Sequence, residues 1–169
     1  GGTLRLAARD GRAGQFAVTE AGLRLDGTPE QHRLEASLDS PSAVARLAAA
    51  GGWDPAATRW QGQVQTFSLQ SEPTGPWALE DPVALGLAPG NLDLEETCLR
   101  QDGATLCLTG RYRDDGLDAR VSLTDLPLAA LSAGLPPHLA LEGALNGEAR
   151  LGGTTANPSL DLRLRPTDG

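Results

Sequence analysis

Residues 97–108, TCLRQDGATLCL, hold both cysteines of the 169-residue chain. Asp102-Gly103 between two apolar runs is typical of a two-residue type I′ hairpin turn, because both central residues of that turn need a positive φ. Counting outward, Cys98 lies opposite Cys107 in a non-hydrogen-bonded pair, where Cα atoms are about 4.5 Å apart and a disulfide can form. The spacing predicts a cross-strand disulfide and an oxidising compartment, with two free thiols on one sheet face as the alternative.

The rest of the chain continues this strand pattern. Apolar residues recur at every second position, as in Leu160, Leu162 and Leu164, with charged or hydroxyl residues between them. Such alternation is typical of antiparallel strands with one dry and one wet face. Turn residues separate the runs at 26–29, 72–76, 88–91, 114–116 and 152–153. About a dozen strands result, so the predicted fold class is all-β.

Three segments depart from the alternation. Residues 127–134 begin with Pro and end with Gly, which predicts a short helix. Residues 40–51 carry similar start and stop signals around an alanine-rich run, so local propensity favours a helix there, with a strand as the alternative. The phase of Leu92 and Leu94 differs from that of Leu99, which predicts a bulge or strand break within 95–97.

Composition limits the classes of partner. The net charge of −8, without a basic cluster, argues against nucleic acid and against an anionic membrane surface. The apolar content of 40% is sufficient for a sizeable apolar interior. No apolar run approaches the roughly 20 residues that span a bilayer, and no signal-peptide pattern is present. We interpret residues 1–169 as one fragment excised from a larger domain.

The sequence contains no catalytic constellation. His32 and His138 lie outside any metal-ligand spacing and are interpreted as ordinary strand or loop residues. Acidic pairs at 80–81, 95–96 and 114–115 lie beside turn signals or strand ends and are interpreted as solvated loop charge. No nucleophile elbow, dinucleotide fingerprint or P-loop occurs. We predict no enzymatic activity, no catalytic residue, no cofactor and no metal.

Three tryptophans stand out in a chain with few aromatic residues. Trp53, Trp60 and Trp77 are interpreted as packing anchors rather than as a platform for a ligand.

An ordered set of motifs resembles the TamB family, the inner-membrane-anchored periplasmic subunit of the bacterial translocation and assembly module. The set comprises Trp60-Gln61-Gly62-Gln63-Val64, then Gly75-Pro76-Trp77-Ala78-Leu79, then Cys98 with Leu106-Cys107, and finally residues 125–131, 135–136, 141–147, 151–154 and Pro158. The resemblance covers residues 32–165. Residues 1–31 contribute compatible alternation only.

This resemblance implies a fold and a location. The fold is an elongated antiparallel sheet bent into an open hydrophobic groove, a β-taco, in which residues 43–50 form a strand; we adopt that strand over the local helix preference. The full-length protein would be anchored in the inner membrane, extend through the periplasm, carry phospholipid and work with the outer-membrane barrel protein TamA. No active site is implied.

Three hypotheses of function follow. In the first, the fragment is part of a lipid conduit between the inner and outer membranes, supporting outer-membrane assembly. In the second, open sheet edges augment strands of outer-membrane client proteins, as a scaffold or chaperone. In the third, the apolar rows form the core of a closed β-sandwich. The candidate groove-lining residues are Leu34, Leu38, Val83, Leu85, Leu87, Leu92, Leu94, Leu117, Val121, Leu123, Leu139, Leu141, Leu160, Leu162 and Leu164.

Overall fold

The computed structural model describes residues 1–13, 16–72, 75–129 and 141–167. These residues form one sheet of twelve antiparallel strands. The strands are β1 (Gly2–Ala13), β2 (Phe16–Gly27), β3 (His32–Asp39), β4 (Ala43–Asp54), β5 (Arg59–Ser71), β6 (Gly75–Leu79), β7 (Val83–Ala88), β8 (Asn91–Gln101), β9 (Ala104–Arg113), β10 (Gly116–Pro127), β11 (Ala144–Gly153) and β12 (Pro158–Thr167).

Strands adjacent in sequence are adjacent in the sheet, with one exception. The short strands β6 and β7 lie end to end in a single position between β5 and β8, and both pair with these two neighbours. The predicted all-β class and the count of about a dozen strands are confirmed. The described residues form one sheet and not the two packed sheets of a sandwich, which is evidence against the third hypothesis.

The β8–β9 hairpin has the predicted register. Asp102 and Gly103 both have positive φ, at 36° and 95°, as a type I′ turn requires. Gln101 lies opposite Ala104, and Cys98 lies opposite Cys107. The structure joins these cysteines in a disulfide, with Cα atoms 4.1 Å apart.

Two segments with helical signals behave differently. Residues 43–50 lie within β4, which pairs with β3 on one side and β5 on the other, so two hydrogen-bonded ladders override the helix propensity of the alanine run. Pro127 ends β10, and residues 128–129 form a 3₁₀ turn instead of the first turn of an α-helix. The remainder of the predicted helix, 130–134, lies outside the described residues.

Irregularities in pairing line up across the middle of the sheet. The β4–β5 register shifts at Ala48/Ala49, where Gln65 is the extra residue of β5. The next position holds the break at 80–82 between β6 and β7, and the β8–β9 register shifts between Leu94 and Thr97, as the phase change in the sequence predicted. We call this line the crease. Bulges bend a strand and increase its twist, so we expect the central strands to bend at the crease.

A further bulge in β10 places the leucines on its two sides on the same face of the sheet. The β10–β11 register shifts between Leu123 and Leu126, and Asp125 has a φ of 53°. The Asp125 N–H donates to the Asn146 side-chain oxygen at 2.8 Å, which satisfies a backbone group that the bulge removes from the ladder. Leu126 consequently returns to the same face as Leu123.

The disulfide gives the first testable prediction. Replacing both Cys98 and Cys107 by Ala should lower the free energy of unfolding by about 2 to 3 kcal/mol, because the unfolded chain regains the entropy of a short closed loop. Urea unfolding with and without reductant measures the effect. The double variant should not respond to reductant, and alkylation of untreated protein should add no mass. Free thiols in untreated protein would contradict the pairing.

An apolar sheet face as the candidate functional site

Cross-strand partners share a face, so the register traces each face of the sheet from strand to strand. Leu25 lies opposite Leu34, Leu34 opposite Ala49, Ala49 opposite Val64, and Val64 opposite Val83. Similar rows continue through β8 to β12, where Leu160, Leu162 and Leu164 complete the same side. From Gly2 to Ala8 in β1, and outside the bulges in β2 to β12, the paired residues of this apolar face include no Asp, Glu, Lys or Arg. The face therefore runs unbroken from β1 to β12.

The candidate lining residues that lie in described strands all fall on the apolar face. They are Leu34, Leu38, Val83, Leu85, Leu87, Leu92, Leu94, Leu117, Val121, Leu123, Leu160, Leu162 and Leu164. Leu141 lies in the segment before β11 and not in a strand, and Leu139 lies outside the described residues. The prediction overlooked other members of the face, chiefly the tryptophans and Leu99, Leu106, Leu126 and Leu145. Alternation counted outward from the Cys98–Cys107 pair places Leu99 and Leu106 on the face opposite the cysteines, so the sequence did contain a signal for these two residues.

The opposite face is charged and carries the disulfide. Its arginines form exposed ion pairs, which individually contribute little to stability. The pairs are Arg9–Glu20, Arg24–Asp26, Arg46–Asp39, Arg100–Glu80, Arg111–Asp93, Arg113–Asp93 and Arg163–Asp161. We call this the polar face. It gives the sheet one wet side, as the alternation predicted.

One carboxylate on the polar face illustrates its electrostatics. Hydrogen bonds from the Thr3 hydroxyl and the Arg24 guanidinium lower the pKa of Asp26 below its ordinary value. Because its pKa is lower in the folded state, Asp26 stabilises the fold at pH values above its unfolded pKa. That contribution is lost as the pH falls through the folded pKa.

Between β5 and β11, one end of the apolar face is packed with its own side chains. Ala104 is fully buried, and Trp77 and Leu126, each 8% exposed, pack with it. The partly buried leucines around this cluster are Leu69, Leu99, Leu106, Leu123 and Leu145. All of them lie on the side of the crease that holds the Asp102-Gly103 turn. We call this side the Trp77 rim.

The other end, the Trp53 rim, has a different construction. The Trp60 ring lies over Gly51 and Gly62, where an added Cβ would overlap it. The Trp60 indole N–H donates to His32 Nε2 at 2.8 Å. His32 Nδ1 therefore carries the ring proton and lies 3.1 Å from the carbonyl oxygens of Thr28 and Pro29. This bonding fixes the ring of Trp60 against the sheet.

Trp53 lies directly opposite Trp60 and remains 38% exposed. The two indoles, His32, Leu4 and Leu25 line an open cavity of about 590 Å³ at this rim. Trp60 and Trp77 thus act as the packing anchors that we expected, whereas Trp53 presents an indole to solvent. His32 is a strand residue, as interpreted, and His138 lies outside the described residues.

In the part of the chain that the structure describes, two side-chain polar atoms are buried on the apolar face without a hydrogen-bond partner. They are Thr97 Oγ1, beside the crease, and Gln101 Oε1, at the Trp77 rim. Within the described residues, no group of His, Cys, Asp and Glu has the arrangement of a metal site. None of the described helices is long and apolar enough to cross a membrane.

Comparison with known proteins complements this geometry. The family model described as "TamB, N-terminal domain" matches residues 1–169. The match includes residues 1–31, where the sequence motifs offered only compatible alternation. No solved structure matches the chain.

The contrast between the rims predicts unequal effects of the same substitution. Trp77→Ala should lower the free energy of unfolding by about 3 to 5 kcal/mol, because it removes the ring that covers Ala104 and leaves a cavity. Trp53→Ala should cost about 1 kcal/mol, because that ring is already partly in water. Urea unfolding of the two variants provides the comparison. Equal losses would show that the Trp77 rim is not the better-packed end.

Proposed function

Because the chain belongs to the TamB family, we propose that it is a periplasmic segment of a bridge-like lipid conduit that holds phospholipid acyl chains on its apolar face. The observation that carries this proposal is the uninterrupted apolar row from β1 to β12. TamB proteins act in transport and assembly, and an all-β segment of this kind is compatible with that role. The conduit would carry phospholipid between the inner and outer membranes and support outer-membrane assembly.

The chemistry of the face suits acyl chains. Leu, Val and Ala side chains offer dispersion contacts and few hydrogen-bonding groups, so binding would depend weakly on the structure of the lipid. A contiguous apolar face of this extent is a liability in water unless a guest or partner covers it. Eleven strand positions spaced about 4.8 Å apart make the face roughly 50 Å long. Such a length favours a conduit segment over a closed binding pocket.

The crease supports a bent sheet. Its bulges lie at the same level in β5 and β8, and the β6–β7 break lies between them. Bending along this line would turn the apolar face into a groove whose long axis runs across the strands. In this proposal the groove is the conduit, and the candidate leucines and valines line it.

The location and partners follow from the family. TamB proteins are anchored in the inner membrane and extend into the periplasm, and we place this segment in the periplasm. A disulfide on the polar face is consistent with that oxidising compartment. The outer-membrane barrel protein TamA would be the partner of the full-length protein. We propose no enzymatic activity, no cofactor and no nucleic-acid partner for the segment.

A second function is favoured by a separate observation. In the described residues, β1 and β12 each pair on one side only, so each presents an edge with free backbone donors and acceptors. Such edges can add a strand from another protein, as a scaffold for outer-membrane clients would require. Protein adducts distinguish this function from lipid transport.

Photo-crosslinking of two neighbouring residues tests the conduit. Val121 is on the apolar face and 37% exposed, whereas Arg120 is on the polar face. A photoreactive amino acid at Val121 should capture phospholipid in cells, and the same amino acid at Arg120 should not. The two sites differ by one residue in the same strand, so expression level and depth along β10 are matched.

The possible adducts have different meanings. Lipid captured at Val121 alone supports the conduit. Protein captured at Val121 would favour the scaffold, and lipid captured equally at both sites would indicate nonspecific contact with membrane. Absence of any lipid adduct at Val121 would overturn the proposed function.

A further inference from the structure

We propose that phospholipids lie on the apolar face with one polarity, the glycerol and headgroup at the Trp53 rim and the acyl ends at the crease. This inference rests on the proposed function and goes beyond it, because a conduit could hold lipid in either orientation. The structure distinguishes the two halves of the face by burial, by the chemistry of the aromatic residues and by length.

Burial differs between the halves in strands β5 to β11. The buried members of the hydrophobic cluster, Trp77, Ala104 and Leu126, all lie at the Trp77 rim. The strongly exposed apolar residues of these strands are Leu87, 39% exposed at the Trp53 rim, and Val121 near mid-face. In these strands, side chains already pack over the Trp77 half, so a guest fits over the other half.

Aromatic residues with polar atoms are concentrated at the Trp53 rim. Trp53 and Trp60 face each other across β4 and β5, and Tyr112 extends the same rim between Leu92 and Leu117. The Tyr112 hydroxyl donates to Asp115 at 3.1 Å, so the polar end of its ring points to the turn. Trp and Tyr favour the boundary between hydrocarbon and water, where the ring contacts acyl chains and its polar group meets glycerol or headgroup.

The cavity at this rim offers space for that boundary region. Its lining combines Leu4, Leu25 and the Trp53 and Trp60 rings with the polar residues Thr3, Thr28 and His32. The indole N–H of Trp60 is already bonded to His32, which leaves the ring face for contact. An ester-linked glycerol region, apolar on one side and polar on the other, matches this mixture better than an acyl terminus does.

Length fixes where the acyl chains end. At about 3.3 Å per residue, the apolar face extends roughly 13 Å from Trp60 to Val64 and roughly 30 Å from Trp60 to Leu69. Half of a bilayer's hydrocarbon thickness is about 15 Å. A lipid with its glycerol at Trp60 therefore ends near Val64 and Val83, at the crease. Beyond that line the Trp77 cluster begins.

A pair of phospholipid photoprobes tests the polarity. The probes are identical except that one carries its diazirine on the headgroup and the other at the end of an acyl chain. Membranes containing the full-length protein are irradiated with each probe, and labelled residues are identified by mass spectrometry. The headgroup probe should label Trp53, Leu87 and Leu117, and the chain-end probe should label Val64, Leu94 and Val121.

Matched variants sharpen the test. Trp53→Ala should reduce headgroup-probe labelling of Leu87 by about threefold, a fold-change typical of losing one aromatic contact. Val44→Ala is the control, because Val44 lies in the same strand as Trp53 but on the polar face, opposite Asp39 and Gln70, and is 37% exposed, close to the 38% of Trp53. It should leave that labelling unchanged.

The possible outcomes distinguish the proposed lipid polarity from the proposed conduit function on which it rests. Reversed labelling, or equal labelling of both rims by each probe, would overturn the polarity while leaving lipid on the apolar face. Labelling of that face by neither probe would overturn the proposed function and the polarity together. The pattern described above supports both.

Discussion

The register of the strands is the constraint on which the rest of the structure depends. Side chains alternate across a strand, so a slip of one residue would transfer every leucine of that strand to the polar face. The bulges keep the leucines of each strand on the apolar face. If residues 95–96 alternated regularly and formed no bulge, Leu92 and Leu94 would share a face with Cys98 and not with Leu99. The Asp125 bulge, held by Asn146, does the same for Leu126.

Stability and the proposed function depend on different parts of one face. Among the described residues the sheet has no second layer, so the cluster at the Trp77 rim supplies the best-buried contacts, with the disulfide of β8 and β9 close by on the opposite face. The Trp53 rim is held instead by local bonds, such as those that join Trp60, His32 and the turn at 28–31. This division leaves half of the face available to a ligand without removing the core.

Much of the fold could be predicted because its signals are local. Period-two alternation, the turn at Asp102-Gly103 and the phase change after Leu94 each depend on a few neighbouring residues. The alanine run of β4 is ambiguous in sequence because its strand conformation depends on pairing with β3 and β5. The hydrogen bonds to these strands lie outside the segment itself and override its local helix propensity. The same holds for the Trp60 contact with His32, 28 residues away. Alignment of the bulges into a crease is a property of the assembled sheet, and no single segment encodes it.

The apolar face also affects how such a sequence can diverge. Leu, Val and Ala can replace one another on it at modest cost, because no single contact with a lipid would require one particular side chain. The alternation of side chains is far less tolerant of change. An insertion or deletion of one residue within a strand transfers each later side chain of that strand to the opposite face, up to the next bulge or turn. Relatives of this chain are therefore expected to differ freely in composition while preserving odd and even positions between consecutive turns. Such relatives would share the alternation of apolar and polar positions along each strand more than the identity of the residues.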